Sequence, residues 1–131
     1  TTYQLCNTTH PLACCRATKG VFRGFTAATY TGNLGGIIGA NAKCSAEFPG
    51  SFLCTYDDYS KAETGTSPGA AGAWVDYTRA PSGGRVSGAC TNSTTGTWTE
   101  SSNGDDALTL NQYGYTTYQL CNTTHPLACC Q

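Results

Sequence analysis

Apolar residues occur along the chain in short blocks separated by stretches rich in Gly, Pro, Ser and Thr, which predicts a small fold of short elements. Residues 21–31 combine aromatic and β-branched side chains and are predicted to form a strand, which the following Gly-Asn pair would end. In residues 35–48, apolar side chains recur at helical spacing and a Pro-Gly pair follows. The residues in that register are Ile37, Ala40, Cys44 and Phe48. This spacing predicts a helix with Cys44 on its buried face.

The remaining elements are predicted to be shorter. Residues 55–58 have the T-x-x-D form of a helix start, so a second, short helix is predicted over 56–63. The polar stretch 87–106 is predicted to be a loop that Trp98 anchors in the core. Strands are predicted over 73–79, 107–110 and 126–130. Together these elements predict an α+β fold with a small sheet, one or two helices and long loops.

One 15-residue sequence occurs twice without a change: TTYQLCNTTHPLACC fills residues 1–15 and again residues 116–130. We call residues 1–15 the leading copy and residues 116–130 the trailing copy. A single domain has one place for a given strand, so two identical copies cannot both fill it. The domain is therefore predicted to comprise residues 16–131, with the leading copy donated to a neighbouring subunit. The alternative is that the chain is a window on a longer polymer of such repeats.

Composition narrows the class of protein. The 131 residues suffice for one domain with a core, the net charge is −1 and only 11% of residues are charged. Neither nucleic acid nor a membrane is expected as a partner, because the chain has no basic surface and no apolar run long enough to span a bilayer. Position 1 is Thr and no signal peptide is visible, so we expect a processed product or a fragment.

Nine cysteines in a chain of this size predict an oxidising, extracellular compartment, and the absence of a C-x-x-C pair disfavours a zinc site. Six of them fall in residues 16–130, where they would close three bridges: Cys44, Cys54, Cys90, Cys121, Cys129 and Cys130. The other three belong to the leading copy and would pair with Cys44, Cys54 and Cys90 of another subunit: Cys6, Cys14 and Cys15.

The adjacent pair Cys129-Cys130 restricts the 15 connectivities that six cysteines allow. Neighbouring residues on a strand point to opposite faces, so the two thiols should reach two different partners. The favoured interpretation joins this strand to the first helix through Cys44 and to the segment near Cys54, which leaves Cys90 to bridge Cys121.

Acidic and histidine residues supply the candidate chemistry. An acidic loop contains the oxygen ligands that calcium prefers, although a solvated turn is the alternative: Glu100, Asn103, Asp105 and Asp106. Calcium is the one candidate ligand, and no other cofactor is expected. His10 and His125 are equivalent residues of the two copies, and no Ser or Cys nucleophile with a supporting acid can be placed beside them, so an enzyme is not expected. Asp57 and Asp58 are interpreted as favourable charges at a helix start.

Surface positions suggest assembly and sugar chemistry. In the leading copy, Tyr3, Leu5 and Leu12 are the apolar residues expected to carry assembly. Three N-x-S/T sequons, which begin at Asn7, Asn92 and Asn122, predict surface positions that a host could glycosylate. An aromatic sugar platform is a further candidate, with packing against the sheet as the alternative: Tyr113, Tyr115, Tyr118 and Trp98.

Several short motifs, in their order and spacing, resemble a family of secreted, mostly bacterial domains with a C-type-lectin-like fold. The motifs are TGNLGG (31–36), GANAKC (39–44), EFPG (47–50), CTY (54–56), GAWVD (72–76) and PLACC (126–130). The resemblance implies a mixed fold whose first and last strands pair, with the last strand at a sheet edge. The E-P-N or Q-P-D triplet and the W-N-D motif of sugar-binding lectins do not occur, and residues 98–100 (W-T-E) come nearest. Calcium-dependent sugar binding is therefore not implied.

The sequence as a whole predicts an extracellular structural subunit, part of a cell-surface appendage. It would polymerise into a fibre or filament by donating its leading copy to a neighbour, and disulfides would lock the junction. The alternative function is a secreted glycan-binding module, for which covalent or bound glycans would be the partners.

Overall fold

The computed structural model describes residues 2–13, 21–62, 66–76, 89–91 and 97–131. In chain order the elements of these residues are β1 (Phe22–Phe25), α1 (Gly36–Glu47), β2 (Phe52–Leu53), α2 (Tyr56–Lys61), β3 (Ala73–Trp74), β4 (Asp106–Leu110), β5 (Thr116–Leu120) and β6 (Ala128–Cys130). The strands form two three-stranded antiparallel sheets, in the orders β1-β6-β2 and β3-β4-β5. The fold class is therefore α+β, as predicted.

The last strand lies in the middle of its sheet. Cys130 pairs with Phe22 of β1 on one side and with Phe52 of β2 on the other. The first and last strands pair as expected, but the expectation that the last strand is an edge element is wrong. All three residues of β6 are fully buried, and a strand buried on both faces is covered best with a neighbour on either side.

The first strand is shorter than predicted because the chain leaves the sheet after Phe25. The Glu47 carboxylate accepts hydrogen bonds from the Ala27 and Ala28 backbone N–H groups, at 2.7 and 3.3 Å. These two backbone donors are thus satisfied by a side chain and not by a neighbouring strand. The chain meets the sheet region again only at Tyr30, which forms an isolated bridge with His125. The second sheet contains a strand that the sequence pattern did not predict, β5, which pairs along its whole length with β4.

Both predicted helices are present. α1 buries Ala40 and Cys44 as predicted, whereas Ile37, which shares their register, lies at the exposed end of the helix. α2 begins after Thr55, whose hydroxyl accepts a hydrogen bond from the Asp58 N–H at 3.0 Å. Asp57 lies in its first turn and forms an ion pair with Lys61, so the interpretation of Asp57 and Asp58 as residues of a helix start is confirmed. No described helix is long and apolar enough to cross a membrane.

The strand β6 separates two clusters of buried side chains. Leu127 and Cys129 belong to a cluster built around Trp74 and Trp98, whose rings lie 5.7 Å apart edge to face. Ala128 and Cys130 belong to the second cluster, which also contains Tyr59, Val75 and Leu110. One end of the trailing copy is thus shared by both halves of the core, which makes it central to the fold.

Candidate assembly site

The trailing copy follows a defined path through the domain, which we call the slot: along β4, then between β1 and β2. Backbone hydrogen bonds fix this path before the last strand and directly after it. His125 and Tyr30 exchange N–H···O bonds of 3.0 and 2.9 Å, and Trp74 donates its N–H to the Pro126 carbonyl at 2.8 Å. Beyond the last strand, Gln131 and Val21 exchange a further pair, at 2.7 and 2.8 Å. From His125 onward both backbone edges of the trailing copy are therefore paired, whereas among the described strands β5 pairs with β4 on one side only.

Three disulfides fasten the trailing copy to the rest of the domain. They join Cys44 to Cys129, Cys54 to Cys130 and Cys90 to Cys121, with Cα–Cα distances of 5.5, 5.0 and 5.7 Å. The adjacent residues Cys129 and Cys130 reach partners in different clusters, as the alternation of a strand requires. The observed pairs are those that the sequence analysis favours.

Close backbone approach at the start of the slot depends on glycine. Gly32 donates its N–H to the Cys121 carbonyl at 2.9 Å. A Cβ atom at this position would lie 2.1 Å from the Cys90 sulfur, so any larger residue would displace the Cys90–Cys121 disulfide. The glycine is required by this contact.

His125 is the buried polar residue of the slot. Its Nδ1 is hydrogen-bonded to the Ala71 carbonyl, its Nε2 is hydrogen-bonded to the Thr123 hydroxyl at 2.8 Å, and its ring packs edge to face against Trp74 at 4.6 Å. Burial lowers the pKa of the imidazole below its ordinary value, and the hydrogen bond to Ala71 opposes that shift. Both ring nitrogens are engaged in contacts that position the chain.

The leading copy has the opposite environment, because every described residue from 2 to 13 is exposed. Tyr3, Leu5 and Leu12 are 100%, 75% and 86% exposed, and Cys6 is a free, exposed thiol. Cys14 and Cys15, the other two cysteines predicted to bond to a neighbour, lie outside the described residues. In this structure the slot is therefore filled by the trailing copy, and the described part of the leading copy lies at the surface.

One turn is nevertheless the same in both copies. The Thr8 N–H and hydroxyl both donate to the Leu5 carbonyl, at 3.1 and 2.6 Å, and the hydroxyl is also hydrogen-bonded to His10 at 2.9 Å. In the trailing copy Thr123 makes the same bonds to Leu120, at 3.0 and 2.6 Å, and its hydroxyl is 2.8 Å from His125 Nε2. Local sequence alone thus sets this turn, so the exposed copy already has part of the conformation that the slot requires.

The equivalent residues of the trailing copy show what each predicted assembly residue would gain. Leu127, the equivalent of Leu12, is 0% exposed, whereas Tyr118 and Leu120, the equivalents of Tyr3 and Leu5, remain 51% and 47% exposed. In the environment of the trailing copy, Leu12 would therefore gain the most burial, and Tyr3 and Leu5 would gain less. Two further residues that the sequence analysis did not select are His10 and Ala13, whose equivalents His125 and Ala128 are buried. The sequence feature that could have indicated the burial of these two residues is their place in the run that ends in Cys-Cys.

In the acidic loop that is predicted to bind calcium, two carboxylates accept hydrogen bonds from nearby N–H and O–H groups. The carboxylate of Asp105 accepts hydrogen bonds from the N–H groups of Thr91 and Asp106, both at 3.0 Å, and the Glu100 carboxylate accepts one from the Ser102 hydroxyl. Asn103 is exposed at the turn between them. No group of three or more His, Cys, Asp or Glu side chains among the described residues could hold a metal ion. These carboxylates instead stabilise the loop by accepting nearby N–H and O–H groups.

Trp98 does not join the predicted aromatic platform. It is fully buried, and its indole N–H donates to the Asp76 carboxylate at 3.1 Å, which confirms its predicted role as a core anchor. Tyr113 and Tyr115 are exposed in the turn between β4 and β5, and Tyr118 is exposed in the middle of β5. The structure therefore reduces the platform to these three tyrosines.

Two of the three sequons lie at accessible positions. Asn7 and Asn122 are exposed and occupy the equivalent position of the shared turn in the two copies. Asn92, the third, lies outside the described residues. Because Asn122 remains exposed while its neighbours fill the slot, a glycan there would not obstruct the insertion of the copy.

No protein-family model, curated protein or solved structure matches this chain at a significant level. The function is therefore argued from the geometry of the chain itself.

Proposed function

We propose that this protein is an extracellular structural subunit that polymerises by inserting its leading copy into the slot of a neighbouring subunit. The observation that carries the proposal is the presence of one buried, disulfide-bonded copy and one exposed copy of the same sequence. Any residue that the slot accepts at 116–130 is present, in the same order, at 1–15. This is the arrangement that strand exchange between identical subunits requires.

The contacts available to a donated copy are those of the trailing copy. An inserted Leu12 would occupy the fully buried position of Leu127, and Cys6 would meet Cys90 of the acceptor. The leading copy's other two cysteines would reach the acceptor's Cys44 and Cys54. A junction closed in this way would be covalent and buried. Three disulfides in a chain of this size are typical of an oxidising compartment, which supports an extracellular location.

Light scattering of the oxidised chain tests the proposal. We expect the full chain, folded at high concentration, to form polymers that resist denaturant without reductant. A variant with Cys6→Ser, Cys14→Ser and Cys15→Ser, which keeps the three disulfides of the trailing copy, should remain a monomer. Deletion of residues 1–15 should yield monomers, since every helix and strand of the described structure lies within residues 21–131. Strand exchange would be refuted if the full chain, like the other two proteins, were a monomer at every concentration.

A secreted glycan-binding module is the second candidate, and the exposed tyrosines near the β4–β5 turn are the observation that favours it. Tyr113 and Tyr115 are 73% and 68% exposed, and aromatic rings at a surface can stack on the apolar face of a sugar. Binding to a glycan array that the Tyr113→Ala and Tyr115→Ala variant loses would support this function. Equal binding by both proteins would exclude these rings as the sugar site.

A further inference from the structure

Each chain carries two copies and one slot. A polymer built by strand exchange therefore leaves one copy per chain unplaced, and insertion of a neighbour's leading copy requires the acceptor's trailing copy to leave. Because the copies are identical, an inserted copy would bind the slot through the same side chains as the copy that it replaces. The copy that fills the slot is then the one that is nearest to it when the disulfides form. Which copy that is depends on how the chain connects each copy to the slot.

Val21 lies next to the end of the slot, and this position determines how the leading copy is connected to the slot of its own chain. Val21 and Gln131 exchange two backbone hydrogen bonds, and β1 runs antiparallel to β6 from that point. Counted by the repeat offset, Arg16 is the residue of the leading copy that corresponds to Gln131. A leading copy placed in the slot of its own chain would therefore put Arg16 beside Val21, with four residues, 17–20, between them.

We infer that the leading copy also fills the slot of its own chain, as the first strand of a β-hairpin with β1. A four-residue connection between antiparallel strands is a common hairpin length, and the last of these four residues is a glycine. The resulting monomer is a circular permutant of the observed one, in which residues 1–15 replace residues 116–130. Its disulfides would join Cys6 to Cys90, and Cys14 and Cys15 to Cys44 and Cys54.

The short connection between the leading copy and β1 gives that copy two destinations, and in this respect the inference deepens the proposed function. A leading copy that lies antiparallel to β1 of its own chain closes that chain, whereas one that lies away from it can reach a neighbour, as in domain swapping. Closure within the chain is favoured by a high effective concentration, on the order of millimolar for a short connection. Polymers should therefore form only when the subunits fold at high concentration.

Two matched variants test the inference, each of which retains six cysteines. The trailing-blocked variant carries Cys121→Ser, Cys129→Ser and Cys130→Ser, and the leading-blocked variant carries Cys6→Ser, Cys14→Ser and Cys15→Ser. Both are refolded from the reduced state in dilute solution and analysed without reductant by gel electrophoresis and peptide mapping. We expect both to be monomers with three disulfides. In the trailing-blocked variant, one of these disulfides joins Cys6 to Cys90.

A deletion in the connection between the leading copy and β1, the hinge deletion, supplies the control. Removal of residues 16–21 from the trailing-blocked variant joins Cys15 directly to Phe22, whose partner in the slot is Cys130, the equivalent of Cys15. Two paired residues of antiparallel strands cannot be joined without intervening residues. This protein should form only disulfide-linked oligomers, even in dilute solution. Refolding of the intact trailing-blocked variant at about a hundredfold higher concentration should produce a ladder of linked chains beside the monomer.

The outcomes separate the inference from the proposed function. If the trailing-blocked variant forms only linked oligomers in dilute solution, as the hinge deletion should, the inference is overturned and exchange stands. If it remains a monomer with the Cys6–Cys90 bond at all concentrations, the inference stands and the proposed function fails. If it forms no native disulfide while the leading-blocked variant folds, the slot does not accept the leading copy, and both are overturned.

Discussion

The leading and trailing copies have the same 15 residues and opposite environments. Leu127 is fully buried in the cluster that contains Trp74 and Trp98, whereas Leu12, with identical neighbours in sequence, is 86% exposed. The turn at Thr8 and the turn at Thr123 have the same hydrogen bonds. The comparison shows that the local sequence suffices for the turn, whereas β5 and β6 form only where the rest of the domain supplies the adjacent strands.

This difference also indicates that the trailing copy, and not the leading copy, stabilises the domain. The trailing copy contributes one cysteine to each of the three described disulfides and one strand to each of the two sheets. Loss of that segment would leave β1 and β2 without the strand between them and would expose parts of both clusters. We therefore expect substitutions in the trailing copy to have large effects, and the equivalent substitutions in the leading copy to have little effect on the monomer.

The largest effect is expected from the cysteines. Loss of the Cys90–Cys121 bond, which closes a loop with a sequence separation of 31, should lower the free energy of unfolding by about 3.7 kcal/mol through the greater entropy of the unfolded chain. The protein to be measured is Cys90→Ser with Cys121→Ser, by guanidinium unfolding of the monomer. The control is Cys6→Ser, which removes the equivalent thiol of the leading copy and should leave the unfolding midpoint unchanged. Equal losses in the two proteins would show that the leading copy contributes to the folded monomer.

A smaller effect is expected from the leucines. Leu127→Ala should lower the free energy of unfolding by about 3 kcal/mol, because it removes a fully buried side chain and leaves a cavity. Leu12→Ala should change it by less than about 0.5 kcal/mol, because that side chain is already in solvent. Both belong in the leading-blocked variant, in which only the trailing copy can form the disulfides. A similar loss from Leu12→Ala would contradict the assignment of the slot to the trailing copy.

The effect of Leu127→Ala on the free energy of unfolding should also depend on whether the leading copy can replace the trailing copy. When all nine cysteines are present, the slot of a Leu127→Ala chain can be filled by the leading copy, which retains Leu12. We therefore expect the destabilisation to be smaller in that protein than in the leading-blocked variant. An identical loss in the two proteins would argue against closure by the chain's own leading copy.

The sequence predicted those parts of the fold in which a short, local pattern of residues is sufficient to determine one element. The cap at Thr55 and the apolar spacing around Cys44 predicted both helices, and the alternation of faces on a strand predicted that Cys129 and Cys130 have different partners. These features depend on residues close together in the chain, or on covalent bonds that few alternatives satisfy.

The features that sequence could not supply depend on distant neighbours. Residues 116–120, T-T-Y-Q-L, show no clear alternation of apolar and polar positions, so β5 was not predicted. In the structure β5 forms because it pairs along its whole length with β4. The central place of β6 was also missed, because a short run buried on both faces has no period that distinguishes an edge strand from an inner one. The candidate assembly site was visible only as a repeat, and the burial that its residues would gain could be ranked only once Leu127 and His125 were located.

The smallest expected effect is a pH dependence that distinguishes the two histidines. Burial lowers the pKa of His125 in the folded protein, so as pH falls below about 6.5 the unfolded chain binds a proton that the folded chain does not. Stability should therefore be fully present above that pH and decrease as pH falls towards the pKa of the folded state. The measurement is the denaturant midpoint between about pH 7.5 and 5.5 in the leading-blocked variant, a range above the titration of most carboxylates. His125→Gln should flatten the profile and His10→Gln should preserve it, so a profile that only His10→Gln flattens would place the leading copy, and not the trailing one, in the slot.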